Sequence, residues 1–291
     1  MKVDVLKLIL NPISPLIDLL LYGNFWIAAA ASAMCLQTQW LLTGQLHWNP
    51  LVFFVFSATL CLYALHRIVG LQKVKPFQDH GRYLVIARFK YHILVYAILG
   101  LLGSAYFFFQ LQQPIQLALV LPSILSIAYV IPILGRKRRL RDFHFIKIFL
   151  IALVWAWITV GVPGINQQLS WSLHLWLMTV ERALFIFAIT LPFDIRDLQI
   201  DQFTSVKTLP QQLGVKGTKW LALTLLTLAF GASLLNYQID AYTLKNLLAL
   251  TLSYLLALAC NLLADRIQHD YFFTGLVDGL MLIQCLLILF L

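Results

Sequence analysis

The chain has 291 residues, 61% of them hydrophobic and 11% charged, with a net charge of +9 and a mean hydropathy of +0.84. That balance excludes a soluble globular domain. The apolar residues fall in blocks of about 20, the length a helix needs to cross the hydrocarbon core. No run alternates in polarity as the strands of a membrane barrel do, so the expected fold is all-α and polytopic.

Met1-Lys2-Val3-Asp4 opens like a secretion signal, but the apolar stretch runs on through Pro12 and Pro15. A retained first span over 14–38 is therefore expected. Eight more follow at 49–70, 91–110, 115–134, 145–164, 171–193, 217–237, 243–263 and 272–291. Cys35, Cys61, Cys260 and Cys285 each sit inside an apolar block with no C-x-x-C pair, and read as small core residues.

Threading the spans alternately across a bilayer sorts the basic residues almost completely. One side collects Lys2, Lys7, Arg67, Lys73, Lys75, Arg82, Arg88, Lys90, Arg136 to Arg139, Arg141, Lys147, Arg196, Lys207, Lys216, Lys219 and Arg266; the other has Lys245. Basic residues accumulate on the cytoplasmic side, which places the N-terminus inside and the C-terminus outside. The expected location is the plasma membrane of a bacterium. Topology and anionic lipid headgroups account for the positive charge without a nucleic-acid partner. No internal repeat of the transporter kind is visible, and residues 1–291 are expected to form a single transmembrane domain.

Charges within spans are costly and mark either function or a tie between helices. Asp18, Asp278 and the neighbours Glu181 and Arg182 are of this kind. Glu181 and Arg182 point about 100° apart on a helix and lie roughly 20 Å before the acidic run described next. A structural tie is the preferred reading for them over contact with an acceptor headgroup.

The acidic run is Asp194-Ile195-Arg196-Asp197-Leu198-Gln199-Ile200-Asp201. At spacings of three and four, its aspartates fall on one helical stripe. Three like charges repel unless a cation sits among them, and hard carboxylate oxygens suit Mg2+, which bridges carboxylates to substrate phosphates. Pro192 is expected to kink or end the membrane helix just before the run. Lys207-Thr208-Leu209-Pro210 and Gly214 make a turn-rich stretch after it, with Lys207 offering a cation.

The pattern D-x-x-D-x-x-x-D followed by K-T-L-P-x-x-L-G resembles the second aspartate-rich motif of the UbiA superfamily of intramembrane prenyltransferases. The order of nine spans, with polar loops after the second, fourth and sixth, is similar along nearly the whole chain. Tyr129, the basic stretch Arg136 to Arg139 and Lys147 resemble that family's loop between its fourth and fifth helices. The resemblance implies a lateral cavity in a ring of helices, where Mg2+ at Asp194, Asp197 and Asp201 and basic groups at Lys147, Lys207 and Arg196 hold an isoprenyl diphosphate. Loss of diphosphate leaves an allylic cation that alkylates a lipophilic acceptor, shielded from water by an aromatic-rich cavity.

The family's first aspartate-rich motif has no counterpart here. Cys61-Leu62-Tyr63-Ala64-Leu65-His66-Arg67-Ile68-Val69-Gly70 stands in its place without a carboxylate, and Asp79 is the nearest acid beyond it. Three readings follow: Arg67 with His66 neutralises diphosphate directly; the chain runs related cation chemistry such as cyclisation; or it has lost catalysis and binds a lipid, or works as a carrier. A snorkelling Arg67 beside a bystander His66 is the plain alternative.

Overall fold

The computed structural model describes residues 14–73, 81–132, 139–143, 145–169, 171–203 and 206–291. The first thirteen residues, Asp79 and Arg136 to Arg138, all of which entered the sequence reading, lie outside them. Among the described residues the fold is helical, and nine helices are long and apolar enough to cross a membrane. They are Phe25–Thr43, Pro50–Leu71, Lys90–Phe108, Gln113–Val130, Ile146–Asn166, Leu173–Arg196, Leu209–Gln238, Leu244–Leu263 and Phe272–Phe290, called here the first to ninth spans. The chain is an integral membrane protein.

Which helices lie inside follows from residue size. The first span buries Ala28, Ala30, Ala31 and Ala33, small side chains that let neighbouring backbones approach closely. It packs against the second, fifth and ninth spans. The third span is the opposite case: its outer face carries Leu99, Leu101, Leu102 and Tyr106 exposed, as lipid contact allows. It holds to the second span through Gly100, where an added Cβ would come within 2.7 Å of the Ser57 carbonyl oxygen and 2.8 Å of the Cys61 nitrogen.

Three boundaries differ from the sequence reading. The first span begins at Phe25 instead of 14, because the chain breaks at Asn24, whose backbone lies in the left-handed region at φ 67°. The residues before it form a separate short helix, Ser14–Tyr22. Pro192 does not end the sixth span, which continues to Arg196. The Asp197 amide then donates to the Phe193 carbonyl at 2.9 Å, and a short helix Leu198–Phe203 carries the turn onward. This continuity sets the phase of the acidic run.

The seventh span starts at Leu209, earlier than the expected 217, and absorbs the turn-rich stretch through a kink at Gly214 with φ 68° and ψ 168°. That backbone region is essentially reserved for glycine and costs other residues about 1–3 kcal/mol. Nothing lies within 4 Å of where a Cβ would be, so the cost is purely conformational. Gly214→Ala is expected to destabilise the fold by an amount within that range and so to lower the thermal midpoint, with Gly214→Val costing more; equal midpoints for wild type and Gly214→Ala would contradict the kink.

Two spans leave α-helical geometry for one wide turn each, Trp157–Gly161 in the fifth and Phe272–Val277 in the ninth. Such π segments are rare and concentrate where a helix must re-aim side chains at a site.

Candidate active site

A cavity of about 260 Å³ lies between the first, second, fourth, fifth, sixth and ninth spans. Its volume is just under the ~300 Å³ lower end for small-molecule pockets, enough for one ligand chain. The wall is apolar where Val55, Leu62, Ile148, Leu150, Ile151, Val154 and Ile158 meet, with Tyr63, Trp155 and Phe193 adding aromatic faces. Its polar end gathers His66, Tyr129, Arg141, Lys147, Asp194, Arg196 and Asp197. An apolar chamber closed by a charged mouth suits an amphiphile with an anionic head.

At the mouth, Lys147 enters from the start of the fifth span and reaches the end of the sixth. Its Nζ lies 2.5 Å from Asp194 Oδ1 and 3.9 Å from Asp201 Oδ2. Asp194 and Asp201 are seven residues apart, two helical turns, and so share a face. Asp194 is buried at 3% exposure and Asp201 at 5%. Burial pushes the Asp201 carboxyl up to about 6, with Lys147 opposing that rise and Asp197 and Asp194 adding to it.

Asp197, at the helix end between them, turns instead to its neighbour Arg196, whose Nε donates to Oδ1 at 2.8 Å. Arg196 Nη1 also reaches Asp270 Oδ1 at 2.7 Å, just before the ninth span. Its guanidinium rests on the rings of Phe193 and Phe273. Asp270 in turn accepts from the Tyr22 hydroxyl at 2.9 Å. The expected stripe of three acids is thus divided: two face Lys147 and one is clamped by Arg196.

This division bears on the expected metal. The three aspartates supply hard oxygen donors of the kind Mg2+ takes, so the donor chemistry fits. Among the described residues, no three acidic, histidine or cysteine side chains converge as a ready-made metal site. Lys147 and Arg196 place positive charge beside these carboxylates.

The remaining expected residues separate into two groups. His66 lines the cavity, its ring stacked on Tyr129 at 6.1 Å between centroids, and its Nε2 is buried with no hydrogen-bond partner among the described residues. Arg67 is not among the residues that line the cavity. Its Nε donates to Asn24 Oδ1 at 2.5 Å, its Nη2 to the Leu21 carbonyl at 3.0 Å, and its guanidinium lies over Tyr22. It therefore ties the second span to the break before the first. Lys207 is exposed and also off the cavity, although its carbonyl accepts from the Phe145 amide.

Arg141 was counted in the basic loop but not singled out, and the structure puts it on the cavity, its guanidinium 5.5 Å above the Tyr129 ring. It makes no ion pair with any described residue. Only its position six residues before Lys147, in a loop otherwise read as topology, could have drawn attention to it. Asp18, left open by the sequence, accepts from the Tyr271 hydroxyl at 2.6 Å. Glu181 accepts from Tyr242 at 3.2 Å, and Arg182 donates to the Met34 carbonyl and to Thr159 Oγ1, which matches the helix-tie reading.

Nine spans with a charged-mouthed cavity between them, all among the described residues, define a class, the polytopic membrane proteins with an internal cavity. Within that class the fold is that of the UbiA homologs. The chain is similar to the apo structure of a UbiA homolog from Aeropyrum pernix K1, with a TM-score of 0.68 at 14% identity over 92% of this chain and 97% of that one. It is similar to a UbiA homolog from Archaeoglobus fulgidus bound to GPP and Mg2+, with a TM-score of 0.60 at 12% identity over 94% and 99%. A structure described for digeranylgeranylglyceryl phosphate synthase gives 0.56 at 16% identity over 94% and 96%. No family sequence model matches the chain, and no curated protein matches it by sequence.

Proposed function

We propose that the protein is an intramembrane prenyltransferase that ionises an isoprenyl diphosphate and transfers the prenyl group to a lipophilic acceptor. The observation that carries this reading is the joining of cationic Lys147 and Arg141 with Asp194 and Asp197 at the polar end of one apolar cavity. The A. fulgidus neighbour, which binds GPP and Mg2+, supports it by analogy of fold.

In this reading the diphosphate lies against Arg141, Lys147 and Arg196, and the prenyl chain runs inward past Tyr63 and Trp155. Arg141 contributes a planar donor fork suited to phosphate oxygens. Lys147 supplies a compact charge held in place by Asp194. His66 and Tyr129 pack beside that head, while Arg67 and Lys207 act from outside the cavity, on the fold and on the approach. Asp194, Asp197 and Asp201 would hold Mg2+, which when bound neutralises charge developing on the leaving diphosphate. The apolar wall excludes water, which would otherwise capture the cation as the prenyl alcohol. Positively charged loops face the cytoplasm of a bacterial plasma membrane, with the N-terminus inside and the C-terminus outside, so the diphosphate arrives from the cytoplasm.

The test is diphosphate release by purified protein in lipid nanodiscs, with prenyl diphosphates from geranyl to geranylgeranyl and isopentenyl diphosphate as the non-allylic control. Allylic substrates should release diphosphate and the control should not. Asp197→Ala should lower release at least tenfold, and EDTA should suppress it. Equal rates for wild type and Asp197→Ala at every chain length would overturn the assignment.

A further inference from the structure

Asp278 is a carboxylate on the ninth span that faces the cavity, yet no described residue holds it. It lines the same chamber as Lys147 and Asp194 and is only part-buried. No described residue makes a hydrogen bond or ion pair with it. The cations close enough to act on it electrostatically are Arg67 and Arg196. An intramembrane carboxylate without a partner is costly, and such groups persist where they serve a ligand.

Its placement is built, not incidental. The π segment Phe272–Val277 ends at the residue before it and shifts the phase of the ninth span there. On its other side the indole of Trp26 packs against Gly279, where an added Cβ would meet ring atoms at 3.2 Å, while Trp26 Nε1 donates to the Gly275 carbonyl at 2.9 Å. The other π segment, Trp157–Gly161, supplies Ile158 and Thr159 to the same cavity. Both departures from α geometry therefore adjoin the chamber.

Resting on the prenyl-transfer reading, we infer that Asp278 is the counter-charge in the cavity for the positive charge that forms on the reacting prenyl carbons. When the carbon–oxygen bond of the allylic diphosphate breaks, the electron pair leaves with the diphosphate and the positive charge stays on the allyl carbons. Lys147, Arg141 and Arg196 answer the anion. Among the acids that line the cavity, Asp194 and Asp197 are taken up by Lys147 and Arg196, which leaves Asp278 to answer the cation. A fixed charge aimed at where charge develops acts on the transition state and leaves ground-state binding nearly unchanged.

The experiment compares two probes in the presence of inorganic pyrophosphate: a farnesyl-chain tertiary amine, cationic near neutral pH, and farnesol, its neutral counterpart. Wild type should bind the amine more tightly than the alcohol. Asp278→Asn should weaken the amine at least tenfold, leave farnesol within about twofold, and lower diphosphate release at least tenfold; Asp278→Glu should retain most of the amine preference. Equal weakening of both probes by Asp278→Asn, or an unchanged amine affinity, overturns the inference. Absence of diphosphate release from wild type overturns the parent reading, whereas release without any amine preference overturns this one alone.

Discussion

Lys147→Met is expected to reduce diphosphate release about 100-fold or more, the scale seen when one preorganised group facing transition-state charge is removed. The side chain keeps its length but loses the ammonium that sits 2.5 Å from Asp194 and 3.9 Å from Asp201. The substitution also has a structural cost. Asp194 is 3% exposed, and leaving one member of a buried ion pair alone typically costs ~3–5 kcal/mol. A loss of activity in the single variant would therefore confound unfolding with chemistry. The double variant Lys147→Met with Asp194→Asn measures the structural part, because removing both charges should recover most of the thermal midpoint, and the chemical part is read as release per folded molecule in Lys147→Met. Wild-type release per folded molecule in Lys147→Met would show that Lys147 serves the fold alone.

Arg182→Ala should cost about 3–5 kcal/mol of stability, with little direct effect on catalysis per folded molecule. Arg182 is 1% exposed, and it joins the sixth span to the first through the Met34 carbonyl and to the fifth through Thr159 Oγ1. Glu181 beside it, 2% exposed, ties the same span to Tyr242. Truncating the arginine empties a large buried volume and removes the positive charge nearest Glu181. Replacing the two charges together, Glu181→Gln with Arg182→Met, keeps the shape and removes the imbalance, and should cost less than half as much. Thermal unfolding in detergent measures both; a double variant as unstable as Arg182→Ala would assign the loss to volume and hydrogen bonds instead of charge.

The spans were legible because a membrane imposes a one-dimensional rule: apolar runs of fixed length, interrupted by charge. Where that rule is silent the sequence misled. It could not show that Asn24 would take a left-handed backbone and split the first span, nor that Pro192 would be tolerated inside a helix reaching Arg196. The acidic run was visible through its spacing alone. What became of its charges was not, because Lys147 and Asp270 come from elements 47 and 74 residues away from their partners Asp194 and Arg196. Arg67 is the reverse case: a cation in the expected span and at the expected end, whose guanidinium bonds Asn24 and the Leu21 carbonyl and is not among the groups lining the cavity. Arg141 lay unmarked in a loop whose charge topology already explained.

The clamp on Arg196 has a consequence for biosynthesis. One of its two carboxylates, Asp197, is adjacent, but the other, Asp270, which also accepts from the Tyr22 hydroxyl, stands just before the ninth span. A growing chain that has inserted its first six spans thus carries Lys147 and all three aspartates of the run while Arg196 is still half-paired. Completion of the site waits for the ninth span and the residues just before it to be made, and that span also brings Asp278.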